Sequence, residues 1–118
     1  MVSKSLLEHK HDKVFVIGKG LFDSTAEQEY ITCELELRRN GFSSVKTAAM
    51  YNKPVDPANQ VDWLKWCGVE LLTADVLYII PTDKEVRTGT LDLYHGYEWC
   101  RELAHSVKMP VFFKEYEN

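Results

Sequence analysis

The sequence contains no long apolar run. None of its hydrophobic segments approaches the roughly 18 consecutive residues that a membrane span requires. The first residues, Met1–His11, are polar and lack the apolar core of a secretory signal. We therefore predict no membrane segment and no membrane partner, and we expect the protein in the cytoplasm.

An excess of positive charge is also lacking. The chain has 14 Lys and Arg residues against 18 Asp and Glu residues, which gives a net charge of −4. Sequence-independent binding of nucleic acid needs a basic face, so a nucleic-acid polymer is not expected as a partner. A local pocket for one phosphate is compatible with this balance.

Paired cysteine motifs are absent as well. Cys33, Cys67 and Cys100 form no CxxC pair, and the four histidines show no zinc spacing with them. An odd number of isolated cysteines favours buried free thiols in a reducing compartment over disulfides. No metal site and no cofactor are predicted.

What remains is the composition of one ordinary globular domain. Of the 118 residues, 45% are hydrophobic and 27% are charged. We interpret residues 1–12 as a loose polar lead-in and residues 13–118 as a single α/β domain of nucleotide-binding type.

Strands and helices alternate along that domain. The predicted strands are Lys13–Gly18, Ser44–Ala49, Asp75–Ile80 and Val111–Lys114. The predicted helices are Ser24–Arg39, Val61–Leu72 and Thr90–Val107. Because right-handed crossovers join parallel strands, this order predicts a small doubly wound, mostly parallel four-stranded sheet. It is Rossmann-like or flavodoxin-like, with strand order 2-1-3-4.

A sheet of this order binds its ligand beyond the carboxyl ends of strands 1 and 3. Two loops border that crevice, and their glycines, hydroxyls and free helix amides suit a phosphate or a sugar hydroxyl. The predicted ligand-binding residues are Gly18, Lys19, Gly20, Thr88, Gly89 and Thr90. Neither GxxxxGK[ST] nor GxGxxG is present, and the alternative is a plain turn with a helix cap.

Carboxylates follow the third strand in sequence. Asp83, Asp92 and Glu98 lie in or just after the second loop. A carboxylate held there could serve as nucleophile or general base, so these three are the catalytic candidates. The alternative is that they are solvated surface acids.

Ordered motifs run through most of residues 13–115. They are VFVIGKGLF followed by a helix and RRNGF, then LLTAD, VLYIIP, an Arg-Thr-Gly-Thr loop and KMPVFF. In this order they resemble the nucleoside 2-deoxyribosyltransferases and their relatives, which include small phage and prophage proteins. The resemblance implies cleavage or transfer at the N-glycosidic bond of a nucleoside or nucleoside monophosphate, in a bacterial or phage-infected cell. It also implies a glutamate nucleophile at the start of the third helix.

Two positions differ from the family pattern. The family glutamate comes four residues after the loop glycine, and here that position is Leu93. Glu98 takes the role if the extra turns of the third helix precede it. An acidic residue of the preceding helix corresponds to Cys67. The alternative function is therefore a non-catalytic protein that binds a nucleotide or an ADP-ribose-like signal, and a protein-interaction module is a third.

The second helix also predicts an assembly. The side of this helix predicted to face the core is the arc of the helical wheel that runs from Cys67 to Leu72. At about 100° per residue, Trp63 and Trp66 point away from that arc. Exposed apolar patches mark contact surfaces, so we expect a homodimer or higher oligomer through these tryptophans. The alternative is that residues 50–60 fold over them.

Overall fold

The computed structural model describes residues 2–18, 25–50, 60–81 and 97–114. In chain order its helices are α1 (Lys4–Leu7), α2 (Ala26–Arg39), α3 (Gln60–Leu72) and α4 (Tyr97–Ser106), with a 3-10 turn at Ala48–Met50. Its strands are β1 (Lys13–Ile17), β2 (Ser44–Thr47), β3 (Val76–Ile79) and β4 (Val111–Phe113).

The four strands form one parallel sheet in the order β2-β1-β3-β4. Phe15 of β1 pairs with Lys46 of β2 on one side and with Leu77 of β3 on the other. The predicted α/β class, the parallel sheet and the strand order are all confirmed. The fold is a compact, Rossmann-like α/β fold.

Burial along the strands explains their places in the sheet. Every residue of β3 is buried, and in β1 only Lys13 is exposed. Strands covered on both faces read as continuous apolar runs, as expected at the centre of a parallel sheet. Strand β2 instead alternates exposed and buried residues, which suits its place at an edge.

Helix α2 covers one face of the sheet with a single apolar stripe. Tyr30, Cys33 and Leu37 recur at helical spacing and are each 1% exposed. The helix begins with Thr25 as its N-cap, so it starts slightly later than the predicted Ser24, which lies outside the described residues.

Helices α3 and α4 pack side by side on the other face. The ring of Trp66 on α3 meets Phe15 of β1 edge-on, with centroids 6.4 Å apart. Gly68 lets the two helices approach, because a Cβ atom there would lie 2.7 Å from Cη2 of Trp99 on α4.

The predicted orientation of α3 is only partly right: Cys67 and Leu71 are buried as predicted, but Trp63 joins them and Leu72 is exposed. Trp63 is fully buried, and its indole N–H donates to the carbonyl of Ala48 at 3.0 Å. Trp66 is half-buried, whereas Val69 and Leu72 are 62% and 56% exposed. Because burial of the large Trp63 ring is favourable, the helix is rotated so that Trp63 faces the core together with Cys67 and Leu71. The two tryptophans therefore do not form an exposed contact patch.

The N-terminal segment also differs from the expected loose lead-in. Ser3 caps helix α1 by accepting the N–H of Leu6 at 3.2 Å, and Leu6 is 1% exposed. His9 packs its ring against Phe112 of β4 at 5.6 Å. Apolar side chains spaced within a polar segment are enough to anchor it to the domain.

The ends of the remaining elements shift by a few residues. Strand β2 stops at Thr47 and gives way to the 3-10 turn, where strand was predicted through Ala49. The described part of the third predicted helix is α4, Tyr97–Ser106. Among the described residues, no helix is both long and apolar enough to cross a membrane.

Candidate functional site

The carboxyl ends of β1 and β3 meet at the predicted switch point. The N–H of Ile80 donates to the carbonyl of Ile17 at 2.8 Å, which continues the sheet to its edge. A Cβ atom at Gly18 would lie 3.0 Å from the Cβ and 3.1 Å from the carbonyl oxygen of Ile80. Glycine is thus favoured here, because any larger residue would force Ile80 to move by a few tenths of an ångström. The backbones at the carboxyl ends of β1 and β3 are therefore in close contact.

A buried phenol supports this edge from below. The N–H of Gly18 donates to the hydroxyl of Tyr30 at 2.7 Å, and the Tyr30 side chain is almost fully buried. Burial raises the pKa of Tyr30 well above its usual value, so the phenol stays neutral. Because the Gly18 amide is already bonded to Tyr30, an anion at this edge would be held by donors further along the loop.

The described residues that end the two strands carry no charge. Gly18, Ile80 and Pro81 supply backbone and apolar surface only. A described cation borders this edge from the neighbouring strand, because Lys114 directly follows β4 and its backbone N–H donates to the carbonyl of Ile79 at 2.8 Å.

A groove opens beside the carboxyl end of β2. It encloses about 190 Å³ and lies between α2 and the 3-10 turn. Ile31, Leu35 and Met50 give it an apolar lining, and Glu27 and Glu34 stand on its helix side. The groove thus lies at the β2 edge of the sheet, one strand away from the switch point.

A second cavity lies at the opposite, amino edge of the sheet. It encloses about 200 Å³ and is bordered by Lys13, Lys46 and Glu70. The ammonium of Lys46 bonds the Glu70 carboxylate at 2.8 Å, so its charge is already paired. This cavity is remote from the strand ends at which ligands of this fold class bind.

Most of the predicted site residues lie outside the described part of the chain. Of the ligand-binding set, Gly18 directly follows β1, and its role in ligand binding stays a prediction. The residues that lie outside the described part are Lys19, Gly20, Asp83, Thr88, Gly89, Thr90 and Asp92, together with Leu93. Glu98 belongs to the first turn of α4.

Cys67 stands at the position where the resemblance implies an acidic residue. It is fully buried on the core side of α3. Burial raises the pKa of its thiol, so the group stays protonated at neutral pH and offers no base. Cys33 and Cys100 are also free and buried, and burial raises the pKa of each to about 12. The prediction of three buried free thiols is confirmed.

Sequence reasoning placed Tyr30 in the core and missed its polar contact. A signal was present, because a tyrosine within an otherwise apolar stripe must find a partner for its hydroxyl. Its place in the first two turns of α2 puts that hydroxyl near the end of β1. Together these facts point to the strand end as its partner.

The described residues contain no cluster of three or more His, Cys, Asp or Glu side chains that could hold a metal ion. Comparison of the chain with protein-family models, with curated proteins and with solved structures finds no match.

Proposed function

We propose that this protein binds a nucleoside or nucleoside monophosphate at the switch point and cleaves or transfers its N-glycosidic bond. The observation that carries the proposal is the sheet order, which puts the switch point, where ligands of this fold class bind, at the carboxyl ends of β1 and β3. Fold alone names a place and not a reaction. The ligand class comes from the ordered motifs of residues 13–115.

The sugar or phosphate end of the ligand is assigned to the two loops. Gly18 is tied to Tyr30 and shapes the turn. Lys19, Gly20 and the Thr88–Thr90 segment follow the two central strands, and they supply an ammonium, backbone amides and hydroxyls. Donors of these kinds form charge-assisted hydrogen bonds with a phosphate.

The chemistry is assigned to a carboxylate, with Glu98 favoured and Asp92 and Asp83 as the other candidates. In the first step the carboxylate attacks the sugar C1′, and the bond from C1′ to the base nitrogen breaks. The base leaves with its electron pair and takes a proton from a nearby acid. Water or a second base then attacks C1′ and frees the carboxylate.

A non-catalytic binding protein is the second candidate. Its support is Cys67, which replaces an expected carboxylate with a buried and protonated thiol. Such a protein would hold a nucleotide or an ADP-ribose-like signal in the same crevice. The buried free thiols suit a reducing compartment, and we propose the cytoplasm of a bacterial or phage-infected cell for either function.

The test is a panel of nucleosides and nucleoside monophosphates. Free base is measured by chromatography and binding by calorimetry, on wild type, Glu98→Gln, Asp92→Asn and Asp83→Asn. The control is Asp62→Asn, which removes an exposed carboxylate from α3. Loss of the nucleophile is expected to lower the rate by several orders of magnitude, roughly 10³-fold or more, and the control to leave it unchanged.

Binding is tested separately with Lys19→Ala. If Lys19 contacts a 5′-phosphate, its loss is expected to weaken monophosphate binding by about 1–3 kcal/mol and to leave nucleoside binding unaffected. Lys4→Ala, at an exposed position of α1, is the control. Binding without release of base would establish the second candidate. Neither binding nor release across the panel would overturn both.

A further inference from the structure

We propose that the groove at the β2 edge binds a small primary amine that carries a short aliphatic chain. The groove encloses about 190 Å³ and lies between α2 and the 3-10 turn, one strand away from the switch point. The proposal concerns a second ligand and does not depend on the proposed function.

One face of α2 forms the helix side of the groove. Its five lining residues follow the i, i+3, i+4, i+7 and i+8 spacing that brings side chains together on one face of a helix. They are Glu27, Tyr30, Ile31, Glu34 and Leu35. The two carboxylates lie about 20° apart on the wheel and nearly two turns apart along the axis, so both border the same side of the groove.

Aliphatic side chains beside these carboxylates are open to solvent. Ile31, Leu35 and Met50 are 46%, 48% and 37% exposed, and all three line the groove. An aliphatic chain laid against them would remove apolar surface from water, which is favourable. The groove therefore suits a ligand with an apolar body better than a bare ion.

A buried hydroxyl also lines the groove. Thr47 is 3% exposed, and it faces α2 because β2 alternates and the preceding Lys46 bonds Glu70 of α3 on the other face of the sheet. The Thr47 Oγ1 accepts the N–H of Ala49 at 3.3 Å and makes no other hydrogen bond with the described residues. A hydroxyl oxygen can accept two hydrogen bonds, so one acceptor site is left for a donor in the groove.

The charges around the groove select a cation. Glu27 forms no ion pair with any described residue, and Glu34 is partly neutralised by Arg38, the Nε of which lies 3.3 Å from the Glu34 carboxylate. None of the described residues that line the groove is a Lys, Arg or His. An ammonium group is attracted by this net negative charge, and its three N–H donors match the Glu27 carboxylate and the Thr47 oxygen.

The test is an NMR titration at neutral pH with n-butylamine, 1-butanol and sodium butyrate, which have similar aliphatic chains and differ in charge. Ammonium chloride tests the cation without the chain. The Ala49 amide reports on the site because it is bonded to Thr47 Oγ1. Butylamine is expected to shift the amides of Thr47 and Ala49 until they saturate. The alcohol and butyrate are expected to bind about fivefold or more weakly, and ammonium to cause no saturable shift.

Substitutions separate recognition of the charge from a general loss of structure. Glu27→Gln and Thr47→Val keep the shape of each side chain, and each is expected to raise the dissociation constant of butylamine about fivefold. Arg38→Gln frees Glu34 and is expected to lower that constant about twofold, a direction that a damaged fold would not give. The control is Glu102→Gln, at an exposed position of α4, which is expected to leave the constant unchanged. Circular dichroism confirms that each variant keeps its fold.

Four results would overturn the proposal. One is a groove whose amides do not respond to butylamine. Another is equal binding of butylamine and 1-butanol, and a third is an unchanged dissociation constant in Glu27→Gln, because each would remove the cation from the site. The fourth is much tighter binding of Nα-acetyl-lysine amide, which carries the same butylammonium group on a peptide backbone. That result would assign the groove to a lysine of a partner protein.

Discussion

Replacing Tyr30 with phenylalanine tests how the edge of the proposed site is held. The substitution keeps the aromatic ring, and with it nearly all of the buried apolar area. It removes the hydroxyl that accepts the Gly18 N–H at 2.7 Å. Gly18 is itself buried, so its amide is left as a buried donor without this partner.

The magnitude follows from that unpaired donor. A lost hydrogen bond that leaves a buried partner unsatisfied costs about 1–3 kcal/mol of the free energy of unfolding. At a urea dependence of about 1–3 kcal/mol per molar, the unfolding midpoint falls by about 1 M. Hydrogen exchange of the Gly18 amide is expected to speed up more than that of other β1 amides, because its protection depends directly on the phenol.

Urea unfolding and amide exchange by NMR measure both effects. Thr32→Val is the matched control, since it removes a hydroxyl from the exposed face of the same helix. That change is expected to stay within about 0.5 kcal/mol. An unchanged midpoint and unchanged Gly18 exchange in Tyr30→Phe would refute the claim that this contact holds the edge.

Two further predictions follow from buried polar groups. Trp63→Phe removes the indole donor to the Ala48 carbonyl and leaves a void in the core. It is therefore expected to lower the free energy of unfolding by about 2–4 kcal/mol. An unchanged thermal midpoint would contradict the buried position of Trp63. Alkaline pH is also expected to destabilise the fold, because Cys33 and Cys100 have pKa values of about 12 when folded and ionise near 9 when unfolded. Above pH 9 the unfolded chain holds fewer protons, so stability falls by up to about 1.4 kcal/mol per pH unit per thiol until the folded value is reached. Urea midpoints between pH 7 and pH 10.5 test this, and Cys33→Val is expected to flatten the decline, whereas an equal slope in that variant would contradict it.

The architecture could be predicted because each element carries its own signal. The runs around Val14–Ile17 and Val76–Ile79 are short, continuously apolar and rich in β-branched residues, which favours strands buried on both faces. The alternation of such strands with helices then restricts the topology through the right-handed crossover rule. Neither step depends on a contact between distant side chains.

The phase of α3 could not be predicted in the same way. Its wheel has apolar residues almost all round, so the sequence allows several orientations, and Leu72 was assigned to the core although it is 56% exposed. The structure decides through Trp63, whose N–H reaches a carbonyl 15 residues earlier in the chain. A hydrogen bond of this kind is a tertiary contact that local spacing does not encode.

The contact between Tyr30 and Gly18 was missed for a related reason. The helical spacing of apolar residues predicts that Tyr30 lies in the core, and the end of the first apolar run places Gly18 at the start of a loop. Neither pattern alone indicates that the two residues are in contact. The two meet because α2 begins near the carboxyl end of β1 and Tyr30 lies in its first two turns. The contact is found only when the polar hydroxyl of a core tyrosine and its position along the helix are considered together.

The start of α4 depends on a glycine in a different helix. Because Gly68 has no side chain, Trp99 can settle onto α3 and fix the first turn of α4 at that point. Glu98 directly precedes Trp99, so the packing of the indole on Gly68 holds the backbone next to it. The proposed reaction at Glu98 requires this turn of α4 to be held still, and the contact between Trp99 and Gly68 is compatible with that requirement.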